Sequence, residues 1–308
     1  MYRIGVDVGG TNIAIGIIDE TYKMVDKTGI KTSEASSPEQ MIKAIATTVK
    51  ELIAQNSLKE FDIESIGVGV PGTAELDTGK IMYANNLGFE DVPFLPELQK
   101  ALGKELGSVT CFDNDANAAA IGEYITGGYD VRNFVMVTLG TGIGGGIIID
   151  GKVVRGINYA AAEIGHMTIN VDGVECNCGR RGCFENYASA TALINQAKEA
   201  MNVDDMDGEK FFGLVREKNE TALKVMDQFT TYLSEGLIDI INILQPEVLV
   251  LSGGITRAAD LFIEQVRDKV SKGVYSRTSK KNTFITVAKG IADAGDVGIV
   301  GAALISKG

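Results

Sequence analysis

The sequence has no tryptophan, a single histidine, five prolines and four cysteines among its 308 residues. Nowhere does it run to the roughly 20 consecutive apolar residues that a helix needs to cross a bilayer. Its opening, MYRIGVDVGG, lacks the basic region, apolar core and cleavage site of a secretory signal. The expectation is a cytoplasmic protein with no membrane partner. Positive charge is also scarce: 29 Lys and Arg against 41 Asp and Glu give a net charge of −12 and a pI near 4.7. That balance disfavours nucleic acid and anionic membrane surfaces. It does not exclude a small anionic substrate, because glycine loops and helix N-termini bind phosphate locally. In a reducing compartment a structural disulfide is not expected either.

What is present is a chain with 45% hydrophobic residues, long enough for two lobes of ordinary size. Residues 2–8 and 12–19 read as strands around a GGT turn (Gly9, Gly10, Thr11), and residues 22–30 as a third strand of a meander. A helix should start at Pro38, capped by Ser36 or Ser37, and bury Met41, Ile42, Ile45, Val49, Leu52 and Ile53 along one stripe. IESIGVGVPG (Ile63–Gly72) reads as an apolar strand ending in Pro-Gly, and NDANAAAIGEY (Asn114–Tyr124) as a helix entered through Asn and Asp. At a constant offset of 131 residues, VDVGGTNIAIGIID (Val6–Asp19) aligns with VTLGTGIGGGIIID (Val137–Asp150). Both stretches read strand, glycine turn, strand, as expected of a duplicated lobe with two facing glycine turns.

The turn residues Asp7, Gly9, Gly10, Thr11 and Asn12 offer backbone N–H groups and a hydroxyl to phosphate oxygens. One such turn is weak evidence, since hairpins use glycine anyway. The second, LGTGIGGG, with Gly140, Thr141, Gly142 and Gly144, strengthens it. Neither is a Walker loop or a dinucleotide fingerprint, because no GK[ST] follows and a strand rather than a helix comes next. With a third glycine pair at Gly253-Gly254, after the strand PEVLVLS, the pattern suggests a nucleotide gripped between lobes. In DNDANAAA, Asn114 and Asp115 read equally well as helix caps or as a carboxylate that accepts a hydroxyl proton in phosphoryl transfer. Asp113 is the competing carboxylate.

Three of the four cysteines, Cys176, Cys178 and Cys183, fall within VECNCGRRGCFENYAS. A C-x-C pair is too tight for an unstrained disulfide, and the C-x-x-C of a redox centre is absent. Thiolate ligation remains, and His166, ten residues before Cys176, completes a Cys3His set for structural zinc. Such a knuckle would hold Glu163, His166 and Glu185 together, an arrangement suited to sugar hydroxyls. The bland alternative for both glutamates is surface charge.

With DVGGTN, GVGVPG, NDANAAAIGE, LGTGIGGG, EIGH, CNCGRRGCFENYAS and LSGGI in order, nearly the whole chain resembles the ROK family of repressors and sugar kinases, its bacterial glucokinases most closely. The resemblance implies an α/β fold of the actin-like, hexokinase-type (ribonuclease H-like) class, with two lobes and ligands in the cleft between them. The expected lobes are 1–113, joined by a C-terminal helix at 294–308, and 114–293, which carries the zinc knuckle. It implies Asp115 as general base for the sugar 6-hydroxyl, with Asn114, Gly72, Glu163, His166 and Glu185 on the sugar. Asp7, Gly9, Gly10, Thr11 and Asn12 would face the phosphates and Mg²⁺, opposite Gly140, Thr141, Gly142 and Gly144, with Gly253 and Gly254 near the adenosine. His166, Cys176, Cys178 and Cys183 would bind zinc. Asn12 stands where many relatives carry Lys. The family's regulators place a helix-turn-helix domain before DxGGT; here the motif begins at Asp7, so the kinase branch is expected. The expected reaction is ATP plus D-glucose to ADP plus glucose 6-phosphate, in a homodimer or homotetramer. Other expected possibilities are N-acetylmannosamine, N-acetylglucosamine, fructose or allose as acceptor, or a sugar sensor without catalysis.

Overall fold

The structure, a computed structural model, describes residues 1–35, 37–289 and 296–308. The chain forms two compact units: Met1–Asp130 with Gly146–Ala161 and Lys289–Gly308, and Val131–Gly145 with Ala162–Ala288. Among the described residues no helix is long and apolar enough to cross a membrane.

The first unit starts with β1 (Tyr2–Val8), β2 (Asn12–Ile18) and β3 (Met24–Lys31), an antiparallel meander whose β1–β2 turn is the GGT sequence. Helix α1 (Pro38–Gln55) begins at the expected proline, and Ser37 Oγ accepts the Gln40 N–H at 3.3 Å; Ser36 lies outside the described residues. The apolar stripe read from the sequence is the buried one, with Ala46 added. Strand β4 (Ile63–Val70) pairs parallel with β1. A small sheet of β5 (Thr73–Glu75), β6 (Lys80–Ala84) and β7 (Phe89–Val92) follows, then helices α2 (Phe94–Leu102) and α3 (Lys104–Ser108). Strand β8 (Thr110–Asn114) pairs parallel with β4 and runs directly into α4 (Asp115–Thr126). The first sheet is ordered β3-β2-β1-β4-β8.

The chain then enters the second unit through β9 (Phe134–Leu139) and leaves it within β10 (Ile143–Ile149), which pairs antiparallel with β11 (Lys152–Val153). Helices α5 (Glu185–Ala188), α6 (Ala190–Met201), α7 (Gly208–Arg216) and the 25-residue α8 (Glu220–Leu244) lead to β12 (Val248–Ser252). A 3-10 segment, Gly254–Leu261, comes next; α9 (Ile263–Gly273) and β13 (Phe284–Val287) follow. The second sheet is ordered β11-β10-β9-β12-β13, with β12 parallel to β9 and β13. Third, second, first, fourth, fifth is the strand order of both sheets. A duplicated lobe would have this pattern.

The last helix, α10 (Val297–Ala303), packs on β1, β4 and α4 in the first unit. It can approach because β1 and β4 offer no side chain there: a Cβ at Gly5 would strike the Ile299 backbone, and one at Gly67 the Ala302 backbone. Of the stretch 294–308 expected as one helix, Val297–Ala303 is α-helical and Ile305–Lys307 a 3-10 turn, while positions 294 and 295 lie outside the described residues. The division of the chain differs from the expected break after residue 113. Helix α4 and residues 146–161 belong to the first unit, because α4 packs on α10 and β4 and Gly146 lies against Ala116 and Ala120.

Candidate active site

The turn between β1 and β2 is closed by Gly9 N–H to Asn12 O at 3.0 Å. Thr32 braces it from outside, its hydroxyl donating to Gly9 O (2.8 Å) and its N–H to Thr11 O (2.9 Å). Asp7 sits at the end of β1 with its carboxylate against Gly298, and burial pushes its carboxyl above the ordinary value of 3.8. A buried carboxylate whose charged form is disfavoured is suited to attract a cation.

At the β8–α4 junction, Asn114 does two jobs. Its Oδ1 accepts the N–H groups of Ala116 (2.9 Å) and Asn117 (3.2 Å), which caps α4; its Nδ2 donates to Gly72 O at 3.0 Å. Capping and site-building, alternatives in the sequence, are one geometry here. Gly72 has φ +82°, and a Cβ on it would run into the backbone of Tyr83 and Ala84. Three residues named from the sequence, Gly72, Asn114 and Asp115, are therefore brought together. Asp115 opens the helix, half-buried, with its Oδ1 accepting the Ala116 N–H at 2.8 Å. Asp113 is only 2% exposed and faces Arg155, Asn117 and the Asn114 N–H. The two carboxylates differ in burial: Asp113 is enclosed and paired with Arg155, whereas Asp115 is half-buried at the start of α4.

In the second unit, Gly140 N–H bonds to Gly142 O at 3.0 Å and Gly144 N–H to Thr138 Oγ1 at 3.1 Å, forming the second glycine turn. Gly253, at φ +106°, lies against Leu139, where any Cβ would collide with the Leu139 backbone. So Gly253 and the turn at 140–142 sit side by side. The turn is also tied to α6 by Ala190 N–H to Gly140 O at 3.0 Å.

The cysteine knuckle is held by Cys176 N–H to Arg180 O (2.8 Å), Gly179 N–H to Cys176 O (3.0 Å) and Gly182 N–H to Val174 O (2.8 Å). The His166 ligand nitrogen and the sulfurs of Cys176, Cys178 and Cys183 all lie within 4.8 Å of one another. Cys178 and Cys183 sulfurs are 3.6 Å apart, and Cys176 Sγ is 3.7 Å from His166 Nδ1. A disulfide needs about 2.05 Å, whereas tetrahedral zinc with Zn–S near 2.3 Å separates its sulfurs by roughly 3.8 Å. The donors, their number and their spacing fit zinc. Without metal, burial pushes the Cys176 thiol up to about 12 and raises Cys183, while the backbone N–H of Arg180 lowers exposed Cys178. A metal bound here would displace the thiol protons.

Glu185 follows Phe184, which is fully buried against Gly236 of α8, so its backbone is anchored. One carboxylate oxygen accepts from the Cys176 thiol at 3.4 Å and lies 3.7 Å from His166 Nδ1; the other faces Gly142. Desolvation raises the Glu163 carboxyl and the Glu185 charge adds to this, while His166 acts in the opposite direction. His166 and Glu185 are thus neighbours, and both charges act on Glu163. Sequence reasoning did not find Arg155, which no motif marks, or the contact between Glu185 and Gly142.

The ROK family model matches residues 3–308. The chain is 32% identical over 321 residues to a glucokinase of Halalkalibacterium halodurans, covering 99% of this chain and 95% of the relative. It is 33% identical over 319 residues to a glucokinase of Thermotoga maritima, covering 99% and 96%. The crystal structure of a ROK family glucokinase from Streptomyces griseus, in complex with glucose and AMPPNP, superposes with a TM-score of 0.80 at 29% identity over the full length of both chains. The fold is accordingly the actin-like two-lobed one, and the chain belongs to the ROK family.

Proposed function

We propose that this ROK-family sugar kinase transfers the γ-phosphoryl group of ATP to the 6-hydroxyl of a hexose, with D-glucose as the preferred acceptor. The observation that carries the reading is the β8–α4 junction. There Asn114 is locked to Gly72 while it caps α4, and Asp115 is held at a defined place at the helix start. Asp115 is the general base that takes the hydroxyl proton, a contribution of about 10²–10⁴-fold in typical cases. Asn114, Gly72, Glu163, His166 and Glu185 bind the remaining hydroxyls.

The turn at Gly9–Asn12 offers N–H groups to the nucleotide phosphates, as do Gly140, Thr141, Gly142 and Gly144, and Gly253-Gly254 approaches the adenosine. Asp7 is the residue that would face Mg²⁺, which when bound supplies positive charge beside the transferring group. Zinc on His166, Cys176, Cys178 and Cys183 is structural: its role is to cross-link the wall that carries Glu185. The relatives named glucokinase, and the glucose complex of the Streptomyces griseus enzyme, support glucose as the acceptor. A homodimer or homotetramer is the assembly proposed.

A coupled assay of ADP release across glucose, mannose, fructose, allose, N-acetylglucosamine and N-acetylmannosamine with Mg-ATP tests the proposal. Glucose is expected to give the highest kcat/KM. A better turnover with another sugar overturns the choice of acceptor, and no turnover with any of them overturns the kinase reading.

A further inference from the structure

Asp113 and Arg155 take no part in the reaction as drawn above, yet they sit directly behind its base. Asp113 closes β8 with its carboxylate buried. One oxygen accepts the Asn114 N–H at 2.7 Å and Asn117 Nδ2 at 3.0 Å; the other accepts Arg155 Nε at 2.8 Å. The residue before Asp115 and the residue two after it are thus tied to the same carboxylate. Arg155 comes from the segment after β11, where its carbonyl accepts the Ala161 N–H at 3.1 Å and closes the 155–161 loop. Its guanidinium is itself mostly covered, with 22% of the side chain exposed. Cys111, two residues earlier in β8, is half-buried within range of both charges.

A carboxylate buried to this degree is costly unless it is paired and hydrogen-bonded. Arginine supplies a charge that cannot be titrated away, and a planar donor group that fixes direction. We propose that Arg155 is a positioning residue for phosphoryl transfer: it neutralises and aims Asp113, which holds the Asn114 backbone and the first turn of α4 so that Asp115 meets the sugar hydroxyl in register. The inference rests on Asp115 being the base. Without Arg155 the carboxylate becomes an orphaned charge one residue from the Asn114 cap, and the turn shifts to let water reach it.

The test is a double-mutant cycle on the full chain, with Arg155→Met, Asp113→Asn, both together, Arg155→Lys, and Asp115→Asn as a separate arm. Steady-state constants for sugar and ATP are measured at a temperature where each variant is folded by circular dichroism. Arg155→Met is expected to lower kcat by about 10²-fold, the size of loss that a misplacement of roughly 1 Å produces. The KM for ATP should stay within about twofold, since no nucleotide contact is touched. Asp113→Asn/Arg155→Met, with no orphaned charge, should recover at least about tenfold of that loss and remain about tenfold below wild type. Arg155→Lys should fall between Arg155→Met and wild type, because it keeps the charge and loses the fork. The proposal is overturned if Arg155→Met turns over within about twofold of wild type while Asp115→Asn is inactive, or if the double variant is no faster than Arg155→Met. Should Arg155→Met not fold, the double variant decides: a kcat within about twofold of wild type refutes the positioning role. Full activity in Asp115→Asn refutes the base reading instead, and is a distinct result.

Discussion

Gly142→Ala separates the chemistry of the second glycine turn from that of the sugar. The family resemblance places Gly142 on the phosphates, yet its open side faces Glu185. A methyl carbon built there falls well inside van der Waals distance of Glu185 Oε2 and 3.6 Å from the carboxylate carbon. The backbone of Glu185 is anchored by buried Phe184, so the carboxylate can yield only by rotating its side chain away from the turn. To restore ordinary contact the carboxylate must withdraw by roughly 1 Å, a displacement able to cost about 10²-fold in a positioned site. A hydrogen bond from a sugar hydroxyl to a carboxylate is worth about 1.5–3 kcal/mol. Losing most of it raises the sugar KM by about 10- to 100-fold, since about 1.4 kcal/mol is a factor of ten. Initial rates with sugar varied at saturating ATP, and then the reverse, measure the two effects separately. A sugar KM unchanged while that for ATP rises would refute the reasoning, because the turn would then act on phosphates alone.

Elemental analysis of protein prepared without added metal should find close to one zinc per chain, and less than about half an equivalent counts against the site. Cys178→Ser should lose zinc and raise the sugar KM, because the wall carrying Glu185 is no longer cross-linked; unchanged kinetics with zinc absent would dissociate the two. In chelator-treated protein, iodoacetamide near pH 8 should label exposed Cys178 well before Cys111, whose thiol burial pushes up to about 11. Readdition of zinc should protect Cys178, and peptide mapping reads both results. Burial raises Asp7, so its ionised form is the penalised one: the penalty is present above the folded pKa and absent below the ordinary value of 3.8. Asp7→Asn, melted without Mg²⁺, should therefore gain in Tm at neutral pH, and the gain should vanish near pH 4. A difference that does not change with pH would contradict this.

Several features of the site are legible in the sequence because they depend on neighbours along the chain. The turn at Gly9–Thr11, the Ser37 cap of α1 and the Asn114 cap of α4 are each set by residue type and local spacing. The cysteine knuckle is local as well: its three thiols fall within eight residues, and the glycines between them permit the bends. Other features depend on partners far along the chain. Arg155 meets Asp113 across 42 residues, and Glu185 meets Gly142 across a similar gap, with no periodicity to announce either contact. The expected boundary at 113 differs from the division into compact units for the same reason. A strand-to-helix junction looks like a seam in the sequence, but packing against α10 keeps α4 in the first unit.

The sequence alone determined the two glycine turns, the order of the motifs that mark the family, and the Cys3His set suited to a metal, because glycine freedom, capping and thiolate chemistry are properties of residues and their near neighbours. Only the tertiary structure decided which of two neighbouring carboxylates is buried against an arginine and which stays half-exposed. Burial and charge pairing are properties of the packed chain, and Asp113 and Asp115 differ there in what surrounds them rather than in what they are.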